Sequence, residues 1–88
     1  LSIAPNPVNS SAVIKTQIPK RIRNYELGIT NWELQITNSL GVLIKIFPLN
    51  SGVTTTEIRV TDFSSGIYSV QLKANGIVVQ TKKMVVVR

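Results

Sequence analysis

Ser64–Arg88 reads SSGIYSVQLKANGIVVQTKKMVVVR, with two apolar runs on either side of Asn75-Gly76. Asn-Gly in that setting specifies a two-residue β-hairpin, because a type I′ turn needs positive φ at both central positions and these residues tolerate it. The stretch predicts two strands, Ile67 to Ala74 and Ile77 to Val87. On the first, Tyr68, Val70, Leu72 and Ala74 share a face, and Ile77, Val79 and Thr81 are expected to meet it across the turn. Beyond Thr81 the alternation is lost. Met84, Val85, Val86 and Val87 are apolar on both faces, directly after Lys82-Lys83. Either a bulge near the lysine pair resets the register, or one face of the last strand is presented to a partner.

Working back from the hairpin, the same short-period pattern recurs. Leu1 to Ala4 is extended, and Pro5-Asn6-Pro7 then excludes helix and forces a turn. Ala12 to Ile18 alternates, with Ala12, Ile14, Thr16 and Ile18 on one face. A motif N-[YW]-E-L-x-I-T occurs twice with a period of seven, at Asn24–Thr30 and Asn31–Thr37. Two copies are too few for a coiled coil, and alternation within each copy suits a strand better. An odd period would flip the apolar face of one continuous strand, so only one copy can use that face unless a turn or bulge divides them. The second copy, with Trp32, Leu34 and Ile36 on one side, is expected to be the core strand. Val42 to Phe47 reads as a strand stopped by Pro48, and Thr54 to Val60 as another, with Asn50-Ser51-Gly52 as a loop between them. Six or seven short strands with turn signals roughly every 8–12 residues indicate an antiparallel β-sandwich.

Composition excludes more chemistry than it suggests. The chain has 88 residues, no Cys and no His. The usual general base, the commonest metal ligand and thiolate chemistry are therefore missing. Glu26, Glu33, Glu57 and Asp62 are the only acids and are scattered, which speaks against a metal site or a glycosidase pair. Ser64-Ser65-Gly66 has no base partner and reads as a turn. The five glycines are dispersed and form no phosphate cradle. No catalytic residue, cofactor or metal site is expected, and no small-molecule substrate. The net charge of +6 includes one tight cluster, Lys20, Arg21 and Arg23. It reads as a solvated basic surface or as attraction to an anionic surface or acidic partner. With few aromatics and no recognition motif, nucleic-acid binding is not expected. No apolar run approaches the roughly 20 residues of a helical membrane span. The length makes the chain a single domain, residues 1–88, and the lack of an initiating Met reads as the mark of a piece cut from a longer protein.

Taken together, certain pieces resemble a known family. They are Pro5-Asn6-Pro7 near the start, a mid-chain strand running into Asn38-Ser39-Leu40-Gly41-Val42, then Ser65-Gly66-Ile67-Tyr68, and a Lys-rich hairpin closing with Thr81-Lys82-Lys83-Met84-Val85-Val86. In order and length the chain is similar to the type A C-terminal sorting domains of type IX secretion cargo proteins from Bacteroidota. The additional repeat copy at Asn24–Thr30 departs from that pattern. The resemblance implies an immunoglobulin-like β-sandwich that is an address and not an enzyme. It implies that the longer protein is a larger secreted precursor, with a cargo that transits the periplasm, crosses the outer-membrane translocon and reaches the cell surface or the medium. Partners implied are the translocon and shuttle proteins and a sortase-like peptidase that removes the domain. Recognition would map to Gly66, Tyr68, Gly76, Lys82, Lys83, Val85, Val86 and Val87, and the entry motif to Pro5, Asn6 and Pro7. An exposed last strand would also allow self-association. The competing expectation is a fibronectin-like or immunoglobulin-like accessory module on a secreted enzyme, binding carbohydrate or protein through residues such as Trp32.

Overall fold

The computed structural model describes residues 1–17, 31–49 and 53–88. The first repeat copy, the Lys20–Arg23 cluster and the loop around Asn50-Ser51-Gly52 lie outside these residues. Seven strands are described: β1 (Ser2–Ala4), β2 (Ser11–Gln17), β3 (Trp32–Thr37), β4 (Leu43–Leu49), β5 (Val53–Arg59), β6 (Gly66–Ala74) and β7 (Ile77–Val86). They form two antiparallel sheets, β1-β2-β5 and β4-β3-β6-β7. The chain passes between sheets after β2, after β4 and after β5, so neither sheet is a simple meander.

Alternation in the sequence becomes burial. Ala12, Ile14 and Ile58 of one sheet meet Leu34, Ile36, Val70, Leu72, Met84 and Val86 of the other in a single apolar cluster. Trp32, Leu34 and Ile36 are buried and Glu33, Gln35 and Thr37 half-buried, so the second repeat copy is the core strand, as its pattern predicts. Burying such side chains contributes about 1.5–3 kcal/mol each and drives the two sheets together. Trp32 Nε1 and Thr16 Oγ1 are buried with no hydrogen-bond partner among the described residues.

Two details of the strands differ from the sequence reading. Strand β4 does not stop at Pro48 but runs through it to Leu49. It is the edge strand of its sheet, where a residue without an N–H is tolerated. The register change in the terminal hairpin is at Leu72/Lys73, near the turn, and not at the lysine pair. Ile77 pairs with Ala74 and Val78 with Lys73, and Gln80 then pairs with Leu72, leaving Val79 as the additional residue. Thr81 consequently lies opposite Gln71, and Lys82 opposite Val70. This early bulge brings Met84 opposite Tyr68 and Val86 opposite Gly66, and so delivers both apolar residues to the core.

The corners follow from local chemistry. Asn75 (φ 49°) and Gly76 (φ 82°) make the expected turn, and the Asn75 side chain accepts the Asn31 N–H at 2.9 Å, tying the turn to the start of β3. Gly66 has φ 155°, and a Cβ there would meet nothing within 4 Å. Its glycine is required by the backbone and not by crowding. Tyr68 Oη donates to the Ser64 carbonyl at 2.7 Å, and its ring lies 5.1 Å from that of Phe63. A tyrosine near the start of a strand that bonds back to the corner before it is a hallmark of immunoglobulin-like sandwiches.

Candidate functional site

The terminal strand has two halves. From Met84 onward it is built into the domain, with Met84 and Val86 buried and Val85 half-buried. From Ile77 to Lys83 every residue is exposed. The division arises because β7 is the outer strand of its sheet, and packing from the other side reaches only its last residues.

The built-in half is held on its outer edge by the segment that opens the chain. The Asn6 amide donates from Nδ2 to the Lys83 carbonyl at 2.9 Å, and its Oδ1 accepts the Val85 N–H at 3.0 Å. One side chain thus imitates a strand residue, offering a donor and an acceptor at β spacing. Val8 continues the imitation with its backbone: its N–H donates to the Val85 carbonyl at 2.8 Å, and its carbonyl accepts the Val87 N–H at 2.9 Å. Val8 is itself fully buried, which anchors the segment. Pro5 and Pro7 flank Asn6, are exposed and lack N–H groups, so Asn6 alone of the three has a side chain able to bridge the edge. The opening and closing motifs, 77 and 79 residues apart in these bonds, are therefore one structural unit.

Arg88 closes the other side. Its Nη1 donates to the carbonyls of Val60 (2.7 Å), Thr61 and Phe63 (3.2 Å), and its backbone N–H donates to Ser65 Oγ at 2.9 Å. The last residue is stitched to the β5–β6 connection. Sequence reasoning missed this role. A terminal basic residue carries no signal for it, because the acceptors are backbone carbonyls of a turn defined only by tertiary folding.

The residues expected to form a recognition site fall into two groups. Gly66 and Gly76 are at backbone positions that require glycine, and Tyr68 and Val86 are in the core. Val85 contributes its backbone to the Asn6–Val8 clamp. Lys82, Lys83 and Val87 project to solvent. The exposed strip from Ile77 to Lys83 also contains Val78, and Ile77, Val79 and Thr81, which the sequence reading expected to meet the Tyr68–Ala74 face. No acidic residue follows Asp62 in the chain, so β6 and β7 carry only basic charges; Glu33 on β3 lies opposite Lys73 of β6.

Among the described residues, no group of three or more acidic side chains is positioned to hold a metal ion. No described helix is long and apolar enough to cross a membrane. Trp32, the residue on which a carbohydrate-binding reading rests, is 5% exposed, with its ring in the core and not on a platform.

No curated protein matches the chain. A family model described as the secretion system C-terminal sorting domain matches residues 2–87, which takes in every described strand and both halves of the Asn6–Val85 clamp. The chain belongs to that family, the C-terminal sorting signals for type IX secretion.

Proposed function

We propose that the domain is read as a folded unit in the periplasm, with β7 and its Asn6–Val8 clamp as the address, and that a sortase-like peptidase then separates it from its cargo. The family assignment carries the coarser statements. The domain directs export through the outer membrane to the cell surface or extracellular space, interacts with the type IX machinery and is not itself catalytic. An accessory carbohydrate- or protein-binding role has no support. The finer reading rests on one observation, the Asn6 amide bonded to both Lys83 and Val85. It makes the end of the address depend on a segment at the opposite end of the chain, so an unfolded or truncated domain would not display it.

Within this reading Gly66, Gly76, Tyr68 and Val86 shape the address, while Lys82 and Lys83 contact the machinery. Residues 1–88 serve as one domain of a larger secreted precursor. The test is a periplasmic reporter fused ahead of residues 1–88 in a bacterium with type IX secretion. Wild type is expected in the medium or on the surface. Lys82→Ala/Lys83→Ala is expected to accumulate in the periplasm with its melting temperature unchanged. Normal export of the folded double variant refutes the assignment of the two lysines. Retention of the wild-type fusion refutes the reading as a whole.

A further inference from the structure

The exposed half of β7 is an open strand edge. Asn6 and Val8 occupy the edge at Lys83, Val85 and Val87, using the Lys83 carbonyl, both groups of Val85 and the Val87 N–H. The register is continuous from Gln80 to Val86, so alternation directs the N–H and carbonyl of Thr81 to the same outer side. No strand pairs there among the described residues, because β7 ends its sheet. Above the clamp the strip carries Ile77, Val78 and Val79, exposed at 70%, 46% and 51%, followed by Lys82 and Lys83. A free edge with apolar side chains next to cations is suited to strand addition, in which main-chain bonds supply affinity and alternate side chains supply specificity.

We propose that the edge of β7 centred on Thr81, between the Val79 bulge and the clamp at Lys83, accepts an extended acidic segment of a protein of the secretion machinery as an additional strand, with apolar residues against Ile77–Val79 and carboxylates against Lys82 and Lys83. This rests on the sorting-signal reading and specifies its partner chemistry. Two observations select the occupant. The clamp already performs strand addition on the adjoining half of the same edge, so the incoming segment continues an existing arrangement. The charge on β6 and β7 is of one sign, with Lys82 and Lys83 on successive residues, and therefore on opposite faces, while Glu33 on β3 lies opposite Lys73. A second copy of the chain would set these lysines against their own equivalents on a domain of charge +6, which like-charge repulsion opposes. An anionic lipid surface would use the lysines but leave the backbone groups unpaired.

Thr81→Pro separates the possibilities, since it deletes an outward N–H while leaving the β6 ladder in place. In the reporter assay Thr81→Pro is expected to lose export while the wild-type fusion is secreted. Gln80 pairs with β6 on the inner side, so Gln80→Pro serves as the unfolded control. Equal export of wild type and folded Thr81→Pro overturns the proposal and leaves the sorting reading standing. Failure of the wild-type fusion itself overturns both.

Should Thr81→Pro not fold, the wild-type domain decides with three ten-residue probe peptides. These are an alternating Val-Glu peptide, the same peptide N-methylated along one edge, and an alternating Val-Lys peptide. Only the first is expected to shift the Thr81 and Lys82 amide resonances, binding at least about tenfold more tightly than the others. Equal binding of the methylated peptide, or no binding of the first, overturns the proposal. So does a stable dimer in sedimentation, or binding of the wild-type domain to phosphatidylglycerol vesicles that an excess of the first peptide does not reduce.

Discussion

Replacing Asn6 by Ala tests the clamp on which the address depends. The change removes a 2.9 Å bond to the Lys83 carbonyl and a 3.0 Å bond from the Val85 N–H, both at an exposed site. A net hydrogen bond contributes about 0.5–1.5 kcal/mol, and at an exposed site water replaces the lost partner, so the pair is worth about 1–1.5 kcal/mol. For 88 residues the unfolding entropy is about 0.19 kcal/mol/K, which converts that loss into a fall in melting temperature of about 5–8 °C. The local signature is sharper than the global one. Hydrogen exchange at the Val85 amide should accelerate, while Met84, paired with Tyr68, and Val87, bonded to Val8, keep most of their protection. Asn6→Asp divides the two bonds. A carboxylate still accepts from Val85 but cannot donate to Lys83, and it sets a charge against that carbonyl. The Val85 amide should then stay protected although the melting temperature falls. Unchanged Val85 exchange in Asn6→Ala, with a melting temperature within about 2 °C of wild type, refutes the clamp.

The two stitches near the β5–β6 corner give further expectations. Tyr68→Phe keeps the ring against Phe63 but leaves the Ser64 carbonyl without its 2.7 Å donor, which should cost about 1–2 kcal/mol. In urea this appears as a lower midpoint at unchanged slope, and an unchanged midpoint would remove the corner's energetic role. Arg88→Ala deletes the donor shared by the carbonyls of Val60, Thr61 and Phe63 and should cost about 1–2 kcal/mol, since solvent partly replaces a charged donor. Its amide exchange signature should fall on residues 60–65 and on β7 together. Effects confined to Arg88 itself would show that the stitch carries no load.

The inward faces of β2, β3, β5 and β6 were legible because burial on one face of a sheet imposes a period of two, and that period is local; on β7 the bulge at Val79 leaves Ile77, Val79 and Thr81, expected to meet the Tyr68–Ala74 face, exposed. Asn75-Gly76 was equally readable, since its positive φ values are a property of the two residues and not of their neighbours. The second repeat copy was correctly chosen as a core strand from Trp32, Leu34 and Ile36 alone. Pro48 was misread because strand position, edge or centre, decides whether a missing N–H matters, and position is set by strand order. One of the two readings of the broken alternation, a bulge near the lysine pair, misplaced the slip for a related reason. Sequence marks only where alternation has changed by Lys82, whereas the slip occurs at Val79, where the hairpin must adjust to bring Met84 and Val86 under the core.

The sequence by itself determined the fold class, the hairpin, the lack of Cys and His and, through the order of its motifs, the sorting family. Only the tertiary structure decided that Pro5-Asn6-Pro7 and Lys82–Val87 form one unit, that Tyr68 and Val86 support the strand from inside, and that Arg88 closes it. The reason is range. Turn preferences and alternation act between near neighbours, but the Asn6 amide and the Arg88 guanidinium bond to backbone groups that any residue possesses. Nothing in the identity of Lys83, Val85, Val60 or Phe63 records such a contact. It exists only once two sheets have packed and brought the two ends of the chain to the edge of β7.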